Sequence, residues 1–169
     1  MERVLVIGSP PGAGKTTFSR CLAEKRKLPL VHLDALFWEE NWRPAPWDAF
    51  DARLREAMAR PAWILDGNYG RTLPLRLARC DTVIYLDYPR IVCLAGVVRR
   101  VIANHGRTRP DMAANCPERW DRGFLKYVWD FRREHRAEYL ALLSRQEGKR
   151  VVILKSRREA RRFLEGLPA

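Results

Sequence analysis

The sequence is poor in the groups that build metal centres and disulfide frameworks. Its 4 cysteines, Cys21, Cys80, Cys93 and Cys116, are scattered with no C-x-x-C pair, and its 3 histidines, His32, His105 and His135, fall at no ligand spacing. That argues against a zinc site and for a reduced, cytoplasmic protein. Cys21 and Cys93 lie on apolar helix faces and are expected in the core. No apolar run approaches the ~20 residues a membrane-crossing helix needs. Met1-Glu2-Arg3 runs straight into an apolar stretch, so no signal peptide is expected and no membrane partner. There is no internal repeat, linker or low-complexity tract, and 169 residues suit one domain spanning 1–169. Lysine is also scarce. Only six of the 32 basic residues are lysines, and against 20 acidic residues they leave a net charge of +12. Arginine binds phosphate in bidentate fashion, so the bias suits a polyanionic ligand, with a solvated basic surface accounting for the rest. The charge also makes nucleic acid a second candidate partner. Nothing in the sequence fixes an oligomeric state.

The informative stretch is Gly8-Ser9-Pro10-Pro11-Gly12-Ala13-Gly14-Lys15-Thr16-Thr17. It follows the apolar run Val4–Ile7 and opens a helical pattern carrying Phe18, Cys21 and Leu22. Strand, glycine-rich turn, then Gly-Lys-Thr at a helix start is the context of a phosphate-binding P-loop. Pro11, Gly12, Ala13, Gly14, Lys15, Thr16 and Thr17 would form the phosphate nest, the backbone N–H groups from Gly12 onward pointing into it. The helix N-terminus adds partial positive charge. Lys15 would reach the outer phosphates of ATP, and Thr16 would hold Mg²⁺. The usual first glycine of the motif falls at Ser9, with Gly8 one place early.

Further strands are expected at Leu30–Leu33, Trp63–Leu65, Thr82–Leu86 and Arg150–Leu154, each bounded by turn signals. Between them, helical patterns run from Trp47 to Ala59, Leu73 to Arg79 and Ile91 to Asn104. Another runs from Pro117 to about Arg145, where proline suits a first helical position. Ser156-Arg157-Arg158-Glu159 has the capping-box pattern for a last helix ending near Gly166. This alternation predicts an α/β fold with a parallel sheet covered on both faces, whose ligands bind beyond the strands' carboxyl ends. Asp34, Asp66 and Asp87 lie at those ends beside the P-loop. Asp66 reads either as a metal-holding acid at a strand end or as a turn residue. Asp34 reads either as the group that orients an acceptor hydroxyl or as a local strand terminator. Trp38, Trp42, Trp47 and Tyr69 either wall an acceptor pocket or pack the 35–60 excursion onto the sheet.

Taken together, these stretches resemble the nucleoside-monophosphate-kinase-like P-loop proteins, and among them the adenylate-kinase-related DNA topology modulation proteins. The likeness is carried by the P-loop, His32-Leu33-Asp34, Trp63 to Tyr69, Leu86-Asp87-Tyr88-Pro89, Gly106 to Asp111 and Trp129 to Arg133. The resemblance implies a three-layer P-loop NTPase fold with a five-stranded parallel sheet of order 2-3-1-4-5. It implies Mg-ATP on the P-loop, an acceptor-binding excursion at about 35–60 and a helical lid at about 104–120. It assigns Arg71 to the acceptor phosphate, and Arg100 to the catalytic set with Lys15 and Asp34. Arg107 and Arg109 would act from the lid, and Arg132 and Arg133 from the following helix. Asp87 matches an acid that is mainly structural in that family. The function implied is an ATP-dependent kinase acting on an unidentified small molecule or nucleotide. The alternatives are a nucleic-acid-associated P-loop protein affecting DNA topology and an NTPase with no dedicated acceptor.

Overall fold

The strand Val4-Leu5-Val6-Ile7 is fully buried along its length, because it runs through the middle of a sheet covered on both faces. A computed structural model describes residues 1–168, with Ser9 described through its backbone alone. Five strands form the sheet: β1 (Arg3–Ser9), β2 (Leu30–His32), β3 (Trp63–Asp66), β4 (Thr82–Asp87) and β5 (Arg150–Leu154). All pairings are parallel and the order is β2-β3-β1-β4-β5, as expected. The helices are α1 (Lys15–Arg26), α2 (Leu33–Phe37), α3 (Trp47–Ala59), α4 (Leu73–Arg79), α5 (Arg90–Asn104), α6 (Arg122–Ser144) and α7 (Arg157–Glu165).

Side-chain alternation divides the sheet residues between two cores. Leu5, Ile7, Trp63, Leu65, Val83 and Tyr85 face α3, α4 and the C-terminal half of α6. Val4, Val6, Ile64, Ile84 and Leu86 face α1, α5 and α7. The register sets His32 opposite Asp66 and Ser9 opposite Asp87, so the acids expected at strand ends share one edge with the P-loop.

Three expectations change. Cys21 is exposed, because α1 buries Phe18, Ser19 and Leu22 instead. The long helix begins at Arg122 rather than Pro117, since Asp121 caps it by accepting from Phe124 N at 2.9 Å. Residues 105–121, expected as a helical lid, consist of turns and two isolated bridges, His105 with Glu118 and Thr108 with Pro117. Pro110 and Pro117 cannot donate a helical hydrogen bond, and Gly106 takes a left-handed turn at φ 70°. This segment docks on the hairpin that pairs Trp38–Glu39 with Arg43–Pro44. Trp42 donates from Nε1 to Pro117 O at 3.1 Å and from its backbone N to Cys116 Sγ at 3.3 Å.

The P-loop is held where it is by glycine. Gly12 and Gly14 sit at φ 92° and 87°, a region that penalises side chains. A β-carbon on Gly96, in α5, would overlap the Gly12 carbonyl oxygen, and one on Gly12 would overlap the Cys93 carbonyl oxygen. Gly96→Ala is therefore expected to cost about 1–3 kcal/mol by overpacking. Denaturant unfolding measures it, and an unchanged midpoint would contradict the close approach.

Candidate active site

One cleft of about 1610 Å³ runs along the carboxyl edge of the sheet. The P-loop residues Pro11 to Thr17 line it, so the loop is open to a ligand. Lys15 folds back over the loop. A β-carbon on Gly8 would lie 3.0 Å from Lys15 Cγ, so the early glycine makes room for the lysine stem. Gly8 N also donates to Asn68 Oδ1 at 3.0 Å, tying the loop entry to the β3–α4 connection. The side chain of Ser9 lies outside the described residues.

Asp66 is 5% exposed; its Oδ2 lies 2.9 Å from His32 Nδ1, while Oδ1 has no hydrogen-bond partner. Burial lowers the His32 pKa, but the Asp66 carboxylate outweighs it and the net shift is upward. Thr16 Oγ1 donates to Asp111 Oδ2 at 3.2 Å. Among the described residues no three His, Cys, Asp or Glu side chains group as a metal-ligand set. Mg²⁺ does not need one, because it takes few protein oxygens and completes its shell with phosphate and water. The free oxygen of Asp66, the Thr16 hydroxyl and the left-handed glycine nest fit an Mg-nucleotide on this ground.

Asp34, at the start of α2, is partly accessible from the cleft, and its Oδ1 accepts from the Tyr69 hydroxyl at 2.8 Å. The protein packed around it raises its pKa, against the opposing pull of that hydrogen bond and of Lys15. Tyr69 takes a left-handed φ of 33°, unusual for a residue with a side chain. Its ring packs between Phe37 and Phe50, with centroids 5.2 and 5.1 Å away. Arg76 holds this turn. The guanidinium is fully buried and donates to Gly67 O and Tyr69 O at 2.9 Å, to Thr72 Oγ1 at 3.2 Å and to Asn68 O.

Arg100 and Arg109 both line the cleft. Glu118, 4% exposed, joins them: Arg100 Nη2 lies 2.8 Å from Oε1 and Arg109 Nε 2.9 Å from Oε2. Arg109 Nη1 continues to Asp111 Oδ2 at 2.7 Å, so an ion chain runs from α5 through the 105–121 segment to Thr16. Burial and the neighbouring Arg109 lower the Arg100 pKa against the pull of Glu118.

The remaining expected residues separate. Trp38 and Tyr69 line the cleft, and Trp42 and Trp47 do not. Arg71 does not line it either; it pairs with Asp51 and lies over the Trp47 ring, 4.4 Å from its centroid. Arg107 is exposed and outside the cleft. Arg132 and Arg133 line a separate hollow of about 490 Å³ with Arg90 and Trp129. Asp87, 2% exposed, is gripped by Arg136 in bidentate fashion at 2.8 and 2.7 Å. Gly96, Arg76, Asp111 and Glu118 were not singled out from the sequence. Only Asp111 carried a local signal, in the run Gly106-Arg107-Thr108-Arg109-Pro110-Asp111.

No model of a known family matches the chain, and no curated protein sequence does. Solved structures do. A shikimate kinase from Acinetobacter baumannii, in complex with shikimate, superposes with a TM-score of 0.61 at 20% identity, covering 98% of this chain and 90% of its own. A shikimate kinase from Bacteroides thetaiotaomicron gives 0.59 at 14% identity, covering 97% and 94%. A presumed kinase from Chloroflexus aurantiacus gives 0.51 at 16%, covering 98% and 96%. The chain has the P-loop kinase fold.

Glu118→Gln removes the acid that pairs with both Arg100 and Arg109, leaving Asp111 on Arg109 alone. The expected loss is about 3–5 kcal/mol, and salt changes it little because the pairs are largely buried. Urea melts at two ionic strengths measure it. An unchanged midpoint at either ionic strength would count against the ion chain.

Proposed function

We propose that this protein is an ATP-dependent kinase that transfers the γ-phosphate of Mg-ATP to a hydroxyl of a small molecule. The observation that carries this is the placement of Asp34, which shares the cleft with the P-loop and lies within electrostatic reach of Lys15. An acceptor hydroxyl needs a group to orient it and take its proton, and Asp34 is a carboxylate of this cleft. The shared fold with shikimate kinases supports the same reading at the level of chemistry.

In the reaction, the acceptor oxygen forms a bond to the γ-phosphorus as the bond to the β–γ bridging oxygen breaks. ADP leaves with the electron pair, and Asp34 takes the hydroxyl proton and passes it to water. Lys15 and the loop amides hold the phosphates, and Arg100 and Arg109 offset charge on the transferring oxygens. Thr16 and Asp66 would hold Mg²⁺, which neutralises phosphate charge when bound. The 105–121 segment would act as a lid, with its Asp111 contact to Thr16 rearranging when nucleotide enters.

The resemblance to DNA topology modulation proteins rests on sequence stretches alone, and nothing in the cleft favours DNA over a small acceptor. A cytoplasmic setting is supported by cysteines with no disulfide among the described residues.

Mg-ATP is expected to raise the melting temperature, by ligand linkage, and Lys15→Ala to abolish both the shift and turnover. Absence of a shift at millimolar Mg-ATP would sink the proposal. Asp34→Asn should keep the shift yet lose about 10²–10⁴ in kcat. A base works only when ionised, and the pKa of Asp34 is raised. The wild-type rate should therefore fall, as pH drops, at a point above the ordinary carboxylate range. An Asp34→Asn variant with unchanged kcat would remove Asp34 from the chemistry.

A further inference from the structure

Tyr69 holds a backbone conformation that penalises a side chain, at φ 33°. Such a residue persists only where its surroundings over-determine it. Here three contacts do so. Gly67 presses the turn onto Leu33, the residue before Asp34, so closely that a β-carbon on Gly67 would lie 2.7 Å from Leu33 Cβ. Arg76 donates from its buried guanidinium to Gly67 O, Asn68 O and Tyr69 O, and meets no carboxylate among the described residues. A buried charge with no counter-acid is costly, and what this one fixes is the shape of the turn. Asn68 Oδ1 accepts from Gly8 N at 3.0 Å, which ties the same turn to the P-loop entry.

The outcome of this shape is one hydrogen bond between residues 35 positions apart. Tyr69 donates from its hydroxyl to Asp34 Oδ1 at 2.8 Å. Asp34 makes no other side-chain hydrogen bond among the described residues, so Oδ2 is left without a partner. Both residues line the cleft. The tyrosine ring is flanked by Phe37 and Phe50, which keeps the hydroxyl on the carboxylate. Burial and the nearby Asp34 carboxylate push the Tyr69 pKa far above the ordinary phenol range, so the hydroxyl remains a donor.

Resting on the kinase reading above, we infer that Tyr69 is a positioning residue for the transfer, holding Asp34 by Oδ1 so that Oδ2 is the oxygen that meets the acceptor hydroxyl. The acceptor's proton then passes to Oδ2, while the tyrosine keeps its own. A base fixed by one oxygen has one orientation to offer, and orientation is a large part of what a transfer site supplies. Six further groups act on Asp34. They are Lys15 from α1, His32 from β2, Asp66 from β3, Arg100 from α5, Arg109 from the 105–121 segment and Tyr127 from α6. None of them is replaced in Tyr69→Phe, so a changed Asp34 titration in that variant reports the lost hydrogen bond.

The test follows the Asp34 carboxyl by ¹³C NMR in the full chain, labelled at aspartate and assigned with Asp34→Asn. It needs no acceptor. The hydroxyl favours the ionised carboxylate, so Tyr69→Phe should move the Asp34 titration to higher pH. A fluorinated tyrosine at the same position is a stronger donor and should move it to lower pH. A tyrosine with a structural role alone would lower the melting temperature and leave the titration where it was. An unmoved titration in Tyr69→Phe overturns the proposal. If that variant does not fold, an unmoved titration with the fluorinated tyrosine overturns it. With any accepted substrate, Tyr69→Phe should lose about 10- to 100-fold in kcat at unchanged KM for Mg-ATP. Its rate should also begin to fall on acidification at a higher pH than the wild type. A wild-type kcat and pH profile would likewise overturn the proposal. A chain that shows no thermal shift with Mg-ATP fails at the kinase reading itself, while the titration still reports on the bond between Tyr69 and Asp34.

Discussion

The site depends on two backbones meeting where side chains would ordinarily keep them apart. Gly12 of the P-loop lies against Gly96 and the Cys93 carbonyl of α5, with no room for a β-carbon on either glycine. That approach fixes the loop on the helix face that continues to Arg100, whose partner Glu118 also holds Arg109. Phosphate nest and Arg100 are thus built on one helix. The other end of the loop is fixed by Gly8, through its bond to Asn68, and Asn68 belongs to the turn that Arg76 grips. A single chain of contacts therefore links α5, the P-loop and the turn that carries Tyr69.

Electrostatics follow from that geometry. The chain is strongly basic, and several of the arginines around the P-loop are held by acids. Asp87 absorbs Arg136, Glu118 absorbs Arg100 and Arg109, and Asp111 closes the chain onto Thr16. Lys15 is left facing the position of the phosphates.

Much of the fold was readable because it follows local rules. Unbroken apolar runs bounded by Asp, Gly or Pro gave the strands, and α3 and α4 begin and end where their periodicity does. Ser156 and Glu159 cap α7 as their spacing required. The failures were places where local signals competed. Pro117 looked like a helix start, but Asp121 is the better cap and Glu118 is drawn into the ion chain. In the site, the P-loop, Asp34 and Asp66 were legible from position on strand ends. Arg71, Arg132 and Arg133 were assigned from the family resemblance, and they pair with their acidic neighbours Asp51, Asp87 and Asp130 outside the cleft. Gly96 and Glu118 act through residues at least nine positions away in sequence, and Arg76 mainly through carbonyls seven to nine positions away, so no local pattern marks them.

The claim that this cleft performs phosphoryl transfer is tested most directly with ATP labelled at the γ-phosphate and an unfractionated extract of small cellular metabolites. The account predicts label in an organic phosphomonoester, released by phosphatase, and none there for Lys15→Ala. Label found only as inorganic phosphate, or left wholly in ATP, would contradict it.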